Sequence, residues 1–166
     1  VEMVSLPNQT LSSGQHELFV SCSVPNGNTD QNNSNNNQIA AFTVVPSGQA
    51  VNVEIVTDCY GSEIEWNITE DGGTVILASG GPYPDVTGGE TYQNEVCLAT
   101  GLCYVFTITD TYGDGLYGSQ WTCTVDGSYS ITEPNGNTLA TIQAANSDFG
   151  FEELNPFCVS SNVSYD

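Results

Sequence analysis

Short apolar segments separated by turn signals recur along most of this chain, and none of them has the period of a helix. Val51, Val53 and Ile55 occupy every second position, which is typical of a strand with one buried face. A second clear strand covers residues 104–109, and such segments return about every 8–12 residues. The pattern predicts an all-β fold, an antiparallel β-sandwich of the jelly-roll or immunoglobulin-like type.

The predicted sandwich contains an internal repeat. Residues 53–61 match residues 105–113, and both copies end in Thr-Asp-X-Tyr-Gly. Further on, residues 68–74 resemble residues 131–138. Two copies of about 50 residues are too few for a solenoid. They predict a duplicated half-sandwich with pseudo-two-fold symmetry.

The segmentation of the chain predicts three parts. Residues 1–46 contain two or three β-prone segments, which cannot form a stable sandwich alone. We interpret them as the tail of an immunoglobulin-like domain or as a strand-donating arm. Residues 47–159 are predicted to form the sandwich module, and residues 160–166 a C-terminal tail or linker.

All of the formal charge is acidic. The chain has no Lys or Arg, 20 Asp and Glu, and a net charge of −20. Phosphate binding relies on Lys or Arg, so nucleic acid and anionic membrane surfaces are excluded as partners. No apolar run approaches the length of a membrane span, so we predict no membrane insertion. Bound cations would reduce the electrostatic repulsion among so many like charges.

The six cysteines are expected to form disulfides, because their number is even, no CxxC occurs and the composition is that of a secreted protein. Cys97 and Cys103 flank a plausible five-residue hairpin loop and are predicted to pair. For the others we predict Cys59–Cys123 and Cys22–Cys158, although six cysteines allow 15 pairings. The disulfides favour an extracellular or cell-surface location.

A calcium loop is predicted at residues 110–115, DTYGDG, which resembles the start of a D-x-[DN]-x-D-G motif. Asp110 and Asp114 would supply carboxylates, and Gly115 would allow the sharp turn. Asp58 is expected beside Asp110 or, with Glu63, in a weaker second site. An EF-hand is excluded, because helices and the twelfth-position Glu are lacking. The alternative is that these aspartates only form Asx-turns after strands.

Aromatic residues cluster around the two Asp loops. We predict that some stack on sugar rings, and the candidates are Tyr60, Tyr112, Tyr117 and Trp121. The alternative is that Trp66 and Trp121, one in each copy of the repeat, fill the core. We favour the core interpretation for the two tryptophans, since equivalent positions of a duplicated fold are more often buried.

No catalytic activity is predicted. Carboxylate pairs such as Glu63 with Asp114 would suit a glycosidase, but any chain with 20 acids offers such pairs. His16, in a polar stretch expected to be a loop, is the single His available for Ser/His/Asp catalysis. Oxidation of the cysteines disfavours thiol chemistry.

Most of the chain resembles a module of large secreted proteins of Bacteroidetes-type bacteria. The matching segments are residues 57–63 with Trp66, then 80–83, 97–104, 110–115 and 157–159. Residues 24–36 are similar to the closing strands of an adhesion-type immunoglobulin-like domain. The resemblance implies a non-catalytic β-sandwich appendage of an exported, surface-displayed protein.

Two functions follow as hypotheses. The first is a structural or adhesive module of an extracellular assembly, a fibre subunit in which residues 1–46 add strands to another copy or to a neighbouring domain. The second is a calcium-dependent carbohydrate-binding module appended to a secreted hydrolase, with glycans as partners.

Overall fold

The computed structural model describes residues 10–23, 27, 30–45 and 47–160. The chain divides into two compact units, residues 1–46 and 47–166. In the described part, the secondary structure consists of β-strands and short 3-10 turns. No helix there is long and apolar enough to span a membrane. Most of the turn signal at 25–28 and of the segment 160–166 lies outside the described residues.

The first unit contains a β-hairpin, with strands β1 (Gly14–Ser21) and β2 (Asn37–Val44). Gly14 lies opposite Val44 and Ser21 opposite Asn37. His16, which we expected in a loop, lies in β1, where the β1–β2 register places it opposite Phe42, and the two rings stack with centroids 5.7 Å apart. Both strands are exposed along nearly their whole length.

In its described residues, 47–160, the second unit contains eight strands in two antiparallel four-stranded sheets. The strands are β3 (Gly48–Val56), β4 (Ile64–Glu70), β5 (Ile76–Gly80), β6 (Thr91–Ala99), β7 (Cys103–Asp110), β8 (Ser128–Thr132), β9 (Thr138–Ile142) and β10 (Glu152–Cys158). One sheet has the order β6-β3-β8-β9, and the other has the order β10-β7-β4-β5. The predicted all-β, antiparallel sandwich is confirmed.

The strand order confirms the duplication. Strands β3 to β6 form the first copy, and strands β7 to β10 form the second. The counterparts, taken in chain order, are β3 and β7, β4 and β8, β5 and β9, and β6 and β10. Exchanging each strand for its counterpart converts the order β6-β3-β8-β9 into β10-β7-β4-β5, which is the order of the opposite sheet. The two central pairs, β3–β8 and β4–β7, each join one strand from either copy. Neither copy can therefore complete a sheet alone.

The core lies between the central strands and contains every second residue of each. The buried apolar residues of β3, β4, β7 and β8 include Val51, Val53, Ile55, Ile64, Trp66, Ile68, Phe106, Ile108, Tyr129 and Ile131. The alternation predicted for β3 is confirmed. Burial of each aliphatic side chain contributes about 1.5–3 kcal/mol to the stability of the fold. The central strands are therefore well packed, and they position the loops at their ends.

Two disulfides are present in the described residues. The predicted Cys59–Cys123 bond is formed, and the second bond joins Cys103 to Cys158. The predicted pairs Cys97–Cys103 and Cys22–Cys158 are wrong. Residues 98–102 are not a hairpin loop, because β6 and β7 belong to different sheets. Cys103 instead lies directly opposite Cys158 in the β7–β10 register, with Cα atoms 4.0 Å apart.

Cys97 occupies the position in the first copy that Cys158 occupies in the second. Its cross-strand neighbour on β3 is Ala50, where the second copy has Cys103. Cys97 and Cys22 are exposed and form no disulfide in the part of the chain that the structure describes.

Non-reducing peptide mapping should recover two disulfide-linked peptides, Cys59–Cys123 and Cys103–Cys158. Chymotrypsin suits this chain because Leu98 and Leu102 separate Cys97 from Cys103, whereas trypsin has no site. Iodoacetamide added before denaturation should label Cys22 and Cys97, which are exposed. A peptide joining Cys97 to Cys103 would contradict the strand order given above.

Candidate functional site

The repeat brings two loops to the same end of the sandwich. Strand β7 ends at Asp110, opposite Ile64 at the start of β4, and β3 ends at Val56, opposite Ser128 at the start of β8. The segments that follow β3 and β7 therefore leave the sheets side by side. The Cys59–Cys123 disulfide links them.

Three carboxylates meet at this end of the molecule. Glu63, Asp110 and Asp114 each place a carboxylate oxygen within 4.8 Å of the others. Asp110 is the last residue of β7, and Glu63 ends a short 3-10 turn, Gly61–Glu63, just before β4. The Thr111 amide donates a hydrogen bond to the Glu63 carbonyl oxygen at 3.1 Å, which holds the two segments together.

Gly115 allows the chain to turn back so that Asp114 faces Asp110. Its φ is +68°, in the left-handed region that favours glycine, and an added Cβ would lie 2.5 Å from the Ser147 carbonyl oxygen. The sharp turn predicted at the end of the DTYGDG motif is confirmed.

Asp110 has a carboxylate oxygen without a hydrogen-bond partner. The side chain is 3% exposed, and its Oδ1 accepts a hydrogen bond from the Gly113 amide. Among the described residues nothing donates to Oδ2, which is also buried. A buried charged oxygen that lacks a partner costs more than an ordinary lost hydrogen bond. A cation among the three carboxylates would remove that cost.

The electrostatics of the cluster also favour a cation. Burial, then the charges of Asp110 and Asp114, raise the pKa of Glu63 to about 7. Burial raises the pKa of Asp110, although the Gly113 amide opposes this shift. The chain has no Lys or Arg to balance these groups. Calcium binds clustered carboxylate oxygens and would return them to the charged form.

Asp58 lies beside the cluster rather than within it. It is 2% exposed, and its Oδ1 accepts a hydrogen bond from the Tyr60 amide at 2.8 Å, which is an Asx-turn. Burial is the main cause that raises the pKa of Asp58 to about 6, and the nearby charges of Asp114 and Asp110 add to it. Its role as a ligand stays a prediction, as does the second calcium site with Glu63.

Three of the four predicted aromatic residues meet above the carboxylates. Tyr60, Tyr112 and Trp121 line one cavity of about 310 Å³, together with Glu63, Asp114 and Thr122. Tyr112 and Trp121 are in edge-to-face contact, with ring centroids 5.6 Å apart. Tyr117 lines a different cavity, with residues 145–148. The cavity thus joins two of the predicted metal ligands, Glu63 and Asp114, with three of the predicted stacking residues.

Trp121 is not a core residue, so the core interpretation is wrong for it and right for Trp66. Trp66 is 2% exposed, whereas Trp121 is 53% exposed. When the two copies of the repeat are aligned on their matching residues Ile68 and Ile131, Tyr129 of the second copy takes the position of Trp66 in the first. Trp121 instead belongs to the longer loop of the second copy. Its indole N–H donates to Asp114 Oδ2 at 2.7 Å, which connects the exposed ring to the acidic cluster.

Sequence reasoning missed Thr122 and Asp85. The Thr122 hydroxyl lies 2.7 Å from the Tyr60 hydroxyl, and both residues also line a neighbouring cavity of about 260 Å³. Asp85 borders that second cavity, and its Oδ1 accepts a hydrogen bond from the Ser62 amide at 2.9 Å. No motif or spacing marks these residues, because they reach the site through tertiary contacts alone.

Without calcium, the protein should lose stability as the pH rises from about 4 to about 8. The carboxyl groups of Asp58 and Glu63 have pKa values of about 6 and about 7 in the fold. Their stabilising contribution is complete below the unfolded-state pKa values and is lost as the pH rises through the folded ones. For buried Asp58 the loss is on the order of 3 kcal/mol.

Urea unfolding at several pH values in a chelator measures this loss. In calcium the decline should be smaller, because the ion stabilises the charged carboxylates. A stability that rises from pH 4 to pH 8 in chelator would contradict the arrangement of carboxylates described above.

Comparison with protein-family models, with curated proteins and with solved structures finds no match to this chain.

Proposed function

We propose that the sandwich unit is a non-catalytic, calcium-dependent carbohydrate-binding module of an extracellular protein. The observation that carries the proposal is the position of Tyr112 and Trp121, two exposed aromatic rings directly beside a buried carboxylate cluster. Tyr112 is 56% exposed, and Trp121 is held by Asp114 of the cluster. Aromatic faces of this kind stack on the apolar faces of sugar rings. The two disulfides support an extracellular location.

The arrangement of the carboxylates supports binding rather than catalysis. A glycosidase places its two carboxyl groups on either side of the scissile bond. Here three carboxylates converge on one point, and one oxygen of Asp114 is already engaged by the Trp121 indole. Turnover of chromogenic glycosides by the purified protein would contradict a non-catalytic role.

A glycan-binding screen in calcium and in chelator tests the proposal. We expect binding of neutral glycans in calcium, loss of that binding in chelator, and loss in Trp121→Ala. Tyr117→Ala is a matched control, because Tyr117 lines a separate cavity and its removal should leave binding intact. Absence of glycan binding by a folded, calcium-loaded protein would refute the proposal.

A structural role as a fibre subunit is a second proposal, and the β1–β2 hairpin favours it. Its exposed apolar side chains include Phe19, which is 59% exposed, together with Leu18, Val20, Ile39 and Phe42. A two-stranded hairpin is at best marginally stable alone. In the sandwich unit, β5 is an edge strand with exposed Ile76 and Leu77. We propose that the hairpin of one copy pairs with the β5 edge of another, which is a contact that does not close on itself.

Light scattering after size-exclusion chromatography tests this second proposal. Strand addition should give an open-ended series of masses, and Leu77→Lys should reduce it to monomer, since a charged residue on an edge strand blocks pairing. Leu154→Lys on β10, the opposite edge strand of the same sheet, is the control and should keep the series. A monomer near 17.6 kDa at all concentrations would rule out the fibre.

A further inference from the structure

We infer that the calcium ion keeps coordination positions open toward the aromatic cavity, and that two adjacent hydroxyls of a neutral saccharide fill them. This inference rests on the proposed function and adds how the ligand is held. The ion would then be part of the binding surface rather than a structural support beneath it.

The oxygen count within the cluster leaves the coordination shell incomplete. Asp110 has one oxygen engaged by the Gly113 amide, and Asp114 has one engaged by the Trp121 indole. Each therefore offers one free oxygen, and Glu63 offers at most two. Calcium takes 6–8 oxygen ligands. About two or more positions are left for water or for ligand oxygens.

The open positions face the cavity because of where each carboxylate sits. Asp110 is at the buried end of β7 and does not line the cavity, whereas Glu63 and Asp114 do. An ion among the three would thus have Asp110 behind it and the cavity in front. The rings of Tyr112 and Trp121 stand at the same cavity. A sugar could stack its apolar face there while its hydroxyls reach the ion.

The charge of the chain selects among saccharides. With a net charge of −20, and with three cluster carboxylates that outweigh the charge of one calcium ion, an anionic sugar would be repelled overall. A neutral sugar brings oxygen ligands without adding charge. At about 310 Å³ the cavity lies at the small end of the range for ligand sites, which suits one terminal sugar rather than a long chain.

Terbium luminescence on the full chain tests the inference, because terbium replaces calcium at oxygen sites and its lifetimes in H₂O and D₂O count the bound waters. We expect two or more waters on the protein-bound ion before any sugar is added. Trp121 should sensitise the emission, so Trp121→Phe should dim it under indole excitation, and the Asp114 Oδ2 that it frees can then replace one of the bound waters. Asp110→Asn should lose the bound ion. A count of zero or one would mean a closed structural site and would overturn the inference.

Methyl glycosides of mannose, glucose and galactose are the probes for the second step. A glycoside that binds should lower the water count by about two, and its fully O-methylated form, which keeps the ring but has no hydroxyl, should not bind. Binding that leaves the count unchanged, or that persists in chelator, would overturn direct coordination. If the count is two or more and no glycoside binds, the proposed carbohydrate function fails, and with it the ligand named here, while the open metal positions stand.

Discussion

In calcium-free buffer, Asp110→Asn should melt at a higher temperature than the unaltered protein, and in calcium it should melt at a lower one. The buried Oδ2 of Asp110 has no hydrogen-bond partner among the described residues, and it lies beside the carboxylates of Glu63 and Asp114. An amide at that position removes the charge and can donate to those neighbours. Without metal, the substitution should increase the free energy of unfolding by about 1–3 kcal/mol, which corresponds to a rise of several degrees in the melting temperature.

Calcium should reverse the order of the two melting temperatures, so that the unaltered protein melts above Asp110→Asn. The unaltered protein gains about 2.7 kcal/mol at a calcium concentration 100 times its dissociation constant, whereas the variant has lost a central ligand and should gain little. Asp148→Asn is the control, since Asp148 is exposed and its Oδ1, which accepts the Gly150 amide, is kept in Asn. Equal stabilisation of Asp110→Asn by calcium would show that Asp110 is not a ligand.

Trp66→Ala should destabilise the protein by about 3–5 kcal/mol, whereas Trp121→Ala should cost less than about 1 kcal/mol. Trp66 packs against Phe106 in the core, with ring centroids 5.9 Å apart, and its indole donates to the Tyr83 hydroxyl at 2.6 Å. Trp121 has half of its surface in solvent. Urea unfolding followed by circular dichroism measures both losses without relying on tryptophan emission.

The pair of variants also separates folding from binding. Trp121→Ala should fold normally and lose glycan binding, because it removes the exposed ring beside Asp114. Similar losses of stability in the two variants would place Trp121 in the core and would remove the main support for a binding site at this end of the sandwich.

The repeat in the sequence was enough to predict the architecture of the sandwich unit. The two matched segments became β3 and β7, the central strands of opposite sheets, and their Asp residues came to the same end. The same pattern failed for Trp121, because the second copy carries a longer loop, residues 111–127, against residues 57–63 in the first. Matching the two tryptophans by order along the chain ignored that insertion.

The disulfides show a different limit of prediction from the sequence. Cys103 and Cys158 are distant in the chain and meet only because β10 lies beside β7, which is information about sheet order rather than spacing. The carboxylate cluster was partly accessible to prediction, which joined Asp110 to Asp114 but assigned Glu63 to a second site with Asp58. Asp110 and Asp114 share one motif, and Glu63 follows the matching motif of the other copy. Asp85 and Thr122 carried no signal, since only the folded loops place them near Tyr60.

A crystal structure of the full chain grown with calcium, with terbium as an anomalous substitute, tests the central proposal most directly. We expect one metal peak bonded to carboxylate oxygens of Glu63, Asp110 and Asp114 at about 2.3–2.6 Å, with Asp110 Oδ2 among its ligands and waters on the side of Trp121. A structure at saturating calcium with no peak there, and with Asp110 Oδ2 bonded to a protein group instead, would contradict it.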